Sequence, residues 1–460
     1  GSSSMLVLAR FTLFFMMIGS LLIYLFTNIK LIGECSPALA VLGFSVMIGI
    51  FMIVLEIVLK QNVYIKKSSL FLILFFMYFI VNVTINRPND LKALLLATTG
   101  GIILFYILGS LVSTNLLYIK EKILNSNKFL NMFNFFYIVF SFLFLILFLD
   151  TFITLMENVR TDLFLLSDLD GMYQRAGAFL TISFFIYSFT TAFFLFVNKY
   201  AKKSKFMVLM TFVLFVSYCL LTIGGILLSQ LIGSNNTLVN LGGLLFATTI
   251  FYIFINFTKS ENLLSKIKLN IKKIFLSKLG SKLFGSIFVS LFIVFVLLVG
   301  LINFFDIDLD QFRIFGFGSG DVSSVSSRLA LWDNFLIHFD YNPIFGNMAV
   351  DALTTGEGTY VHSFIATLLT HLGIVGFIFF FIYLSVAIKE KLKSSNNLYV
   401  NNLFALYSLI VFAGIFAIAS FGTFITYTPI WFLLGLLFPP IVFKNRKELN
   451  FEKSNINSIK

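Results

Sequence analysis

Ser327–Gly376 reads SRLALWDNFLIHFDYNPIFGNMAVDALTTGEGTYVHSFIATLLTHLGIVG. This stretch holds the junction around which the chain is organised. A polar segment with Gly and Asp, running from Asp306 to Tyr360, gives way at Val361-His362 to an apolar run long enough for a helix. All three histidines of the chain, His338, His362 and His371, fall inside it. Outward in both directions the sequence is mostly oily. The 460 residues are 59% hydrophobic and 12% charged, with 62 phenylalanines, and the mean hydropathy is +0.97. Soluble domains carry about 25% charged residues. This composition excludes a water-soluble globule and makes the bilayer the solvent.

A bilayer span needs about 20 mostly apolar residues. Twelve such runs are expected, at roughly 6–27, 37–59, 68–84, 93–117, 131–153, 176–197, 206–230, 238–257, 283–305, 361–387, 401–420 and 424–443. The reading is an all-α integral membrane protein. Gly1–Ser4 reads as a cloning scar before Met5, and no cleavable signal peptide is evident. Nine spans fill 5–305, a large and partly helical loop fills 306–360, three spans fill 361–443, and a basic tail fills 444–460. The connections alternate in charge. One set carries 26 Lys and Arg against 5 acids, and the other carries 7 against 15, with Glu56 inside a span. By the positive-inside rule the first set is cytoplasmic, both termini lie inside, and the 306–360 loop is periplasmic. Topology and attraction to anionic lipid account for the net charge of +12, so no nucleic-acid partner is implied. Cys35 and Cys219 read as small hydrophobes, with no ligand spacing around them.

The outer basic residues have a bias that topology does not require. Five of the seven are arginines, Arg87, Arg160, Arg175, Arg313 and Arg328, whereas the inner set has only Arg10 and Arg446. A guanidinium presents a planar fork that grips phosphate or carboxylate through two bonds. Pairing with outer acids such as Asp162 or Asp168 is the plainer use of the same charge. Arg175 stands at the mouth of the sixth span, at the depth of lipid phosphates. In the loop, Ser323–Ser327 is expected to cap a helix through Arg328. Its apolar face would be Leu329, Trp332, Leu336 and Phe339. Asn342-Pro343 and Gly346 then turn the chain. His362 opens the tenth span and is expected at the membrane interface, where a side chain titrating near neutrality can move a proton. His371 is nine residues further on, about 13 Å deeper along a helix, which implies a lined cavity or a partner. His338 reads as a surface residue. Asp306, Asp308 and Asp310 alternate as a metal clamp would, but no calcium-loop glycine follows. No P-loop, dinucleotide fingerprint or zinc spacing is present.

The ordered set Arg328, Trp332, Asn342-Pro343, Gly346, His362-Ser363, Leu372-Gly373 and Gly376 resembles the O-antigen ligase and polymerase superfamily. Arg175-Ala176-Gly177-Ala178-Phe179 is similar to that family's upstream Arg-x-x-Gly-x-Phe element. The resemblance covers about fifty residues closely and the rest through its dozen spans. It implies a GT-C-like, inverting glycosyltransferase of the bacterial inner membrane that needs no metal or other cofactor. Donor and acceptor would be undecaprenyl-pyrophosphate-linked oligosaccharides, and a chain-length regulator protein would be a partner. The resemblance makes His362 the general base and Arg175 and Arg328 the pyrophosphate ligands. Where the family carries a further arginine this chain reads Gly233-Ser234-Asn235-Asn236-Thr237, so that contact would come from Arg160 or Arg313 or be absent. His371 replaces a family acid, and with Ser363 would position the acceptor. The expected activity is polysaccharide polymerisation. The alternatives are ligation of the finished glycan to lipid A-core, and a transporter or flippase without chemistry.

Overall fold

A computed structural model describes residues 2–30, 36–59, 62–91, 93–94, 101–124, 126–159, 172–199, 204–257, 330–394 and 399–444, with the single positions 293, 297, 300, 303 and 304. In chain order the helices are α1 (Ser2–Lys30), α2 (Ser36–Val58), α3 (Lys67–Asn86), α4 (Ile102–Leu124), α5 (Asn127–Val159), α6 (Met172–Asn198), α7 (Lys205–Ile232) and α8 (Asn235–Phe257). After the loop come α9 (Phe335–Tyr341), α10 (Val350–Thr354), α11 (Phe364–Ser394), α12 (Tyr399–Ala419) and α13 (Thr428–Leu437). Among the described residues nine helices, α1 to α8 and α11, are long and apolar enough to cross a bilayer. The chain is therefore a helical, multi-pass membrane protein. Helices dominate because lipid offers no partner for a backbone N–H or C=O, and a helix satisfies both internally.

Eleven of the twelve expected spans correspond to described helices, and 283–305 lies outside the described residues apart from single positions. Two differ in extent. The fourth begins only at Ile102, after Gly101. The last is helical for just ten residues, because Pro429 sits in its first turn and Pro439-Pro440 follow its end. Two strands also form, β1 (Asn62–Ile65) and β2 (Ile441–Lys444), paired antiparallel with Asn62 opposite Lys444.

That ribbon gathers connections at one end of the bundle. Ser68 Oγ donates to Glu390 Oε2 at 2.8 Å and Lys391 Nζ to the Leu437 carbonyl at 2.8 Å, so 62–68, 390–391 and 437–444 share the lysine-rich end. The opposite end is tied by Arg175 to Asn28 and by Arg87 to Glu357. The acid inside a span is not left alone: Glu56 of α2 pairs with Arg10 of α1, both buried, and the Arg10 guanidinium lies 4.3 Å from the Tyr118 ring centre on α4. Such pairing is what makes an ionised side chain tolerable in hydrocarbon.

The core is built on α6, whose span is buried along its whole length, as expected of a helix apolar on every side. The short α13 is also fully buried and lies directly on α4. A Cβ at Gly109 would come within 2.1 Å of the Phe432 carbonyl oxygen, and one at Gly435 within 2.1 Å of the Tyr106 oxygen. Lipid supplies no hydrophobic drive between helices, so close backbone approach through small residues carries the contact. Gly435→Ala is therefore expected to lower the thermal unfolding midpoint of the detergent-solubilised protein by several degrees, since overpacking costs about 1–3 kcal/mol. Gly414→Ala, which meets open space, is expected to leave the midpoint unchanged.

Candidate active site

The site is set by a break in α11. At Gly373 the backbone adopts φ 69° and ψ −172°, inside what is otherwise one helix. Gly346, at φ 67°, closes the turn that begins at Asn342, with its N–H donating to the Asn342 carbonyl at 2.8 Å. The two glycines interlock. A Cβ at Gly346 would lie 2.4 Å from the Gly373 nitrogen, and one at Gly373 2.5 Å from the Gly346 nitrogen. The break frees N–H groups, and the turn takes them up: Ile374 N–H donates to the Pro343 carbonyl at 2.9 Å and Val375 N–H to the Ile344 carbonyl at 3.1 Å. Asn342-Pro343, Gly346, Leu372-Gly373 and Gly376 thus have a shared structural use here.

Asn82 of α3 fastens this joint. Its Nδ2 donates to the carbonyls of Phe345 at 3.1 Å and His371 at 3.3 Å, and its Oδ1 accepts from Met348 N–H at 3.0 Å. Tyr78, one turn below, donates its hydroxyl to the same Phe345 carbonyl.

Around the joint the three histidines converge. His371 is buried; its Nδ1 lies 2.8 Å from Thr370 Oγ1 and its Nε2 3.7 Å from Asp351 Oδ1. That second distance is too long for a hydrogen bond and is an ion pair only when His371 is protonated. Asp351, on α10, accepts from Gly358 N–H at 2.9 Å through Oδ2, where Gly356 and Gly358 turn the chain at positive φ. Burial pushes the Asp351 carboxyl up, but the facing His371 ring and the Gly358 N–H outweigh it and hold the carboxyl at about 2. Tyr360 neighbours both His362 and His371, with ring centres 5.2 Å and 6.3 Å away, and meets Phe424 at a tilt with centres 4.5 Å apart. The two histidines therefore share one aromatic neighbour, although the rise along a helix would separate them by depth. His362 is half-buried at the rim. Ser363 is buried, and its Oγ accepts from Ala366 N–H at 3.2 Å, which caps the first turn of α11.

His338 corrects the expectation of a surface residue. It is fully buried, with Nε2 2.7 Å from Thr355 Oγ1. The reason is helical phase. A tight turn at Trp332–Asn334 precedes α9, and the helix presents Leu336 and Ile337 outward, which turns His338 toward α10 and α11. Burial and the neighbouring His371 lower its pKa, opposed by Asp351. Nδ1 of His338 and Nε2 of His371 are buried with no hydrogen-bond partner among the described residues.

Of the arginines, Arg175 is described at the first turn of α6. Its Nη2 donates to Asn28 Oδ1 at 2.9 Å and its guanidinium lies 5.3 Å from the Phe179 ring centre. Gly177 follows because Ser234 and Thr237 crowd that face; a Cβ there would sit 2.6 Å from both hydroxyl oxygens. Ser234 and Thr237, where α7 gives way to α8, thus pack against Gly177, two residues on from Arg175. The 420–427 connection joins this region to the histidines: Phe424 lies 4.9 Å from the His371 ring, and Tyr427 OH accepts from Asn240 Nδ2 at 2.9 Å. Arg160, Arg313, Arg328 and the Asp306–Asp310 triplet lie outside the described residues.

Two participants escape a reading by sequence. Asp351 is twenty residues from His371 and only the loop fold joins them. Arg87 belongs to the outer arginine set, yet nothing in its spacing marks it as the one described beside the histidines. It caps the end of α3, meets Asp90 at 2.9 Å and Glu357 at 3.5 Å, and acts electrostatically on His371. Among the described residues no group of three or more metal-ligating side chains is placed to hold a metal ion. No family model, no curated protein and no solved structure matches the chain. The functional reading rests on its own residues.

The loop should loosen in two stages on acidification. His338 is depressed below its usual 6.5 and Asp351 below its usual 3.8. In both cases the unfolded loop binds protons first, so stability present at neutral pH is lost as pH falls. Hydrogen exchange across residues 335–360 is expected to quicken just below pH 6.5 and again between pH 4 and 2. Asp351→Asn is expected to abolish the second stage and to move the first to lower pH, because the Asp351 charge opposes the depression of His338.

Proposed function

We propose that this chain is a membrane-embedded glycosyltransferase, an O-antigen polymerase that lengthens a lipid-linked surface polysaccharide. The observation that carries the reading is the convergence of His338, His362, His371, Asp351 and Tyr360 at the end of the bundle that bears Arg87 and Arg175. A carrier is expected to keep its binding residues near the midplane between internal repeats, and this cluster lies at one end. The lysine excess at the other end supports an orientation with the cluster on the outer side, which this reading takes as the periplasmic face of a bacterial inner membrane.

The donor is a growing glycan on undecaprenyl pyrophosphate, and the acceptor is the distal sugar of a second lipid-linked repeat unit. His362 takes the proton from the acceptor hydroxyl as that oxygen attacks the anomeric carbon. The bond from this carbon to the pyrophosphate oxygen breaks, and undecaprenyl pyrophosphate leaves with the electron pair. Attack from the face opposite the leaving group inverts the configuration. Arg175 and Arg328, with Arg160 or Arg313, stabilise the negative charge developing on the pyrophosphate. His371, held against an ionised Asp351, and Ser363 position the acceptor beside His362. A chain-length regulator protein would act from the same side.

His362→Ala in a well-folded protein is expected to abolish long glycan while leaving single repeats. Wild-type chain length in that variant would remove the catalytic role. Arg175→Lys and Arg328→Lys keep the charge but lose the fork, and each is expected to cost most of the activity; full activity in both would refute bidentate phosphate binding. Gene deletion separates the readings. Core bearing one repeat unit marks a polymerase, core bearing none marks a ligase, and an unchanged profile removes both for that glycan.

A further inference from the structure

The turn that breaks α11 also carries an apolar surface that the bundle leaves uncovered. Leu336, Ile337, Tyr341, Ile344 and Phe345 are each exposed over half their surface or more. In water such a patch would be a liability. Its level in the bundle is set by hydrogen bonds. α3 has 20 residues, which makes it about 30 Å long, the thickness of the hydrocarbon layer. Arg87 caps its outer end. Asn82 and Tyr78 lie five and nine residues before Arg87, which puts them about 8 Å and 13 Å beneath it. Both side chains bond the Phe345 carbonyl. The other half of the joint agrees. The apolar run after the break, 374–388, ends at Lys389 and has 15 residues, about 22 Å, so the joint lies short of the outer edge of the layer.

The patch is continuous with surface that faces lipid. Met77, Val81 and Ile85 of α3 and Ile374 and Ile378 of α11 are exposed along the two helices that grip the turn. The opposite face of α9 is of another kind, for it carries the buried His338 toward Thr355 and His371.

We infer that Trp332–Gly346 is a re-entrant element whose outward face, Leu336, Ile337, Tyr341, Ile344 and Phe345, is covered by hydrocarbon chains of the outer leaflet. The occupant is lipid, because the patch extends an apolar helix surface and sits below the level of Arg87, Asp90 and Glu357, while the exposed Asp333 and Asp340 of the same element keep it at the headgroup boundary rather than deeper. Consequently the Asp351, His338 and His371 groups lie at the boundary between headgroups and acyl chains. A lipid-borne substrate would reach them in the plane of the membrane, past this face. The inference does not depend on the enzymatic reading.

The test uses the full chain with Cys35→Ala and Cys219→Ala, reconstituted into phosphatidylethanolamine and phosphatidylglycerol vesicles. A nitroxide is attached at Phe345→Cys, Leu336→Cys or, as the aqueous control, Glu357→Cys. Relaxation by oxygen, which concentrates in lipid, is compared with relaxation by a water-soluble nickel chelate. At Phe345→Cys and Leu336→Cys the oxygen-to-nickel ratio is expected to exceed that of Glu357→Cys several-fold. A ratio equal to the control at these positions overturns the inference. So does spin–spin broadening between labels, which would mean that a second copy of the chain covers the patch. Leu336→Cys carries the test by itself where Phe345→Cys fails to fold.

Discussion

Inside a bilayer, every backbone N–H and C=O that leaves a helix must find a partner within the protein. Gly373 puts this chain under that constraint in the outer part of α11. The obligation is met by the carbonyls of Pro343 and Ile344, delivered by a turn that can come close enough only because Gly346 and Gly373 have no side chains. Once the turn is there, much else follows. Asn82 is committed to it, the Phe345 carbonyl is held by two side chains of α3, and α9 and α10 are suspended directly over the break. His371, two residues before Gly373, is held beside Asp351 by the same joint. Its geometry and the helix break are one feature.

The bundle beneath is arranged to keep that joint still. α6 runs through the middle with all its faces covered, and α13, too short to be a span of ordinary length, is clamped on α4 by a pair of glycines. The connection leading into α13 brings Phe424 to His371 and Tyr427 to Asn240. The packing that orders the last helix therefore also forms the floor of the histidine cluster. Small residues at one level fix aromatic residues at the next. At the other end, the β1–β2 ribbon and the Ser68–Glu390 bond tie α3, α11 and the segment after α13 together. α3 and α11 are thus joined at both ends, and the helix that breaks has a rigid neighbour along its length.

Electrostatics then gives the cluster its character. Buried titratable groups are costly without partners, yet two histidines, His338 and His371, act here on Asp351 and on each other, with Arg87 acting on His371. The Gly358 N–H and the His371 ring keep Asp351 ionised despite its burial. The Asp351 charge in turn favours a proton nearby, while burial keeps His338 neutral. Such opposed environments, side by side, suit proton transfer. The arginines sit around this centre rather than in it: Arg87 bonded to the loop, and Arg175 one connection away, bonded to Asn28.

Much of this was legible from residues alone. Composition and run length determine a helical membrane protein. Alternating lysine content predicts the two ends that the ribbon and the Arg87–Glu357 contact distinguish, and the polar gap before His362 marks where a site could form. These features are local, set by the hydrophobicity of a window or the charge of a loop, so no fold is needed to read them. The partners of His371 are another matter. Asp351 is twenty residues away, Asn82 nearly three hundred, and the inward phase of His338 depends on a tight turn rather than on apolar periodicity. Proline and glycine announce that the chain bends at Pro343, Gly346 and Gly373, but not that two of these bends interlock. Sequence by itself determined the solvent, the helices and the neighbourhood of the histidine cluster. Only tertiary structure decided which groups face each other there, because that depends on backbones meeting at van der Waals distance across elements far apart in the chain.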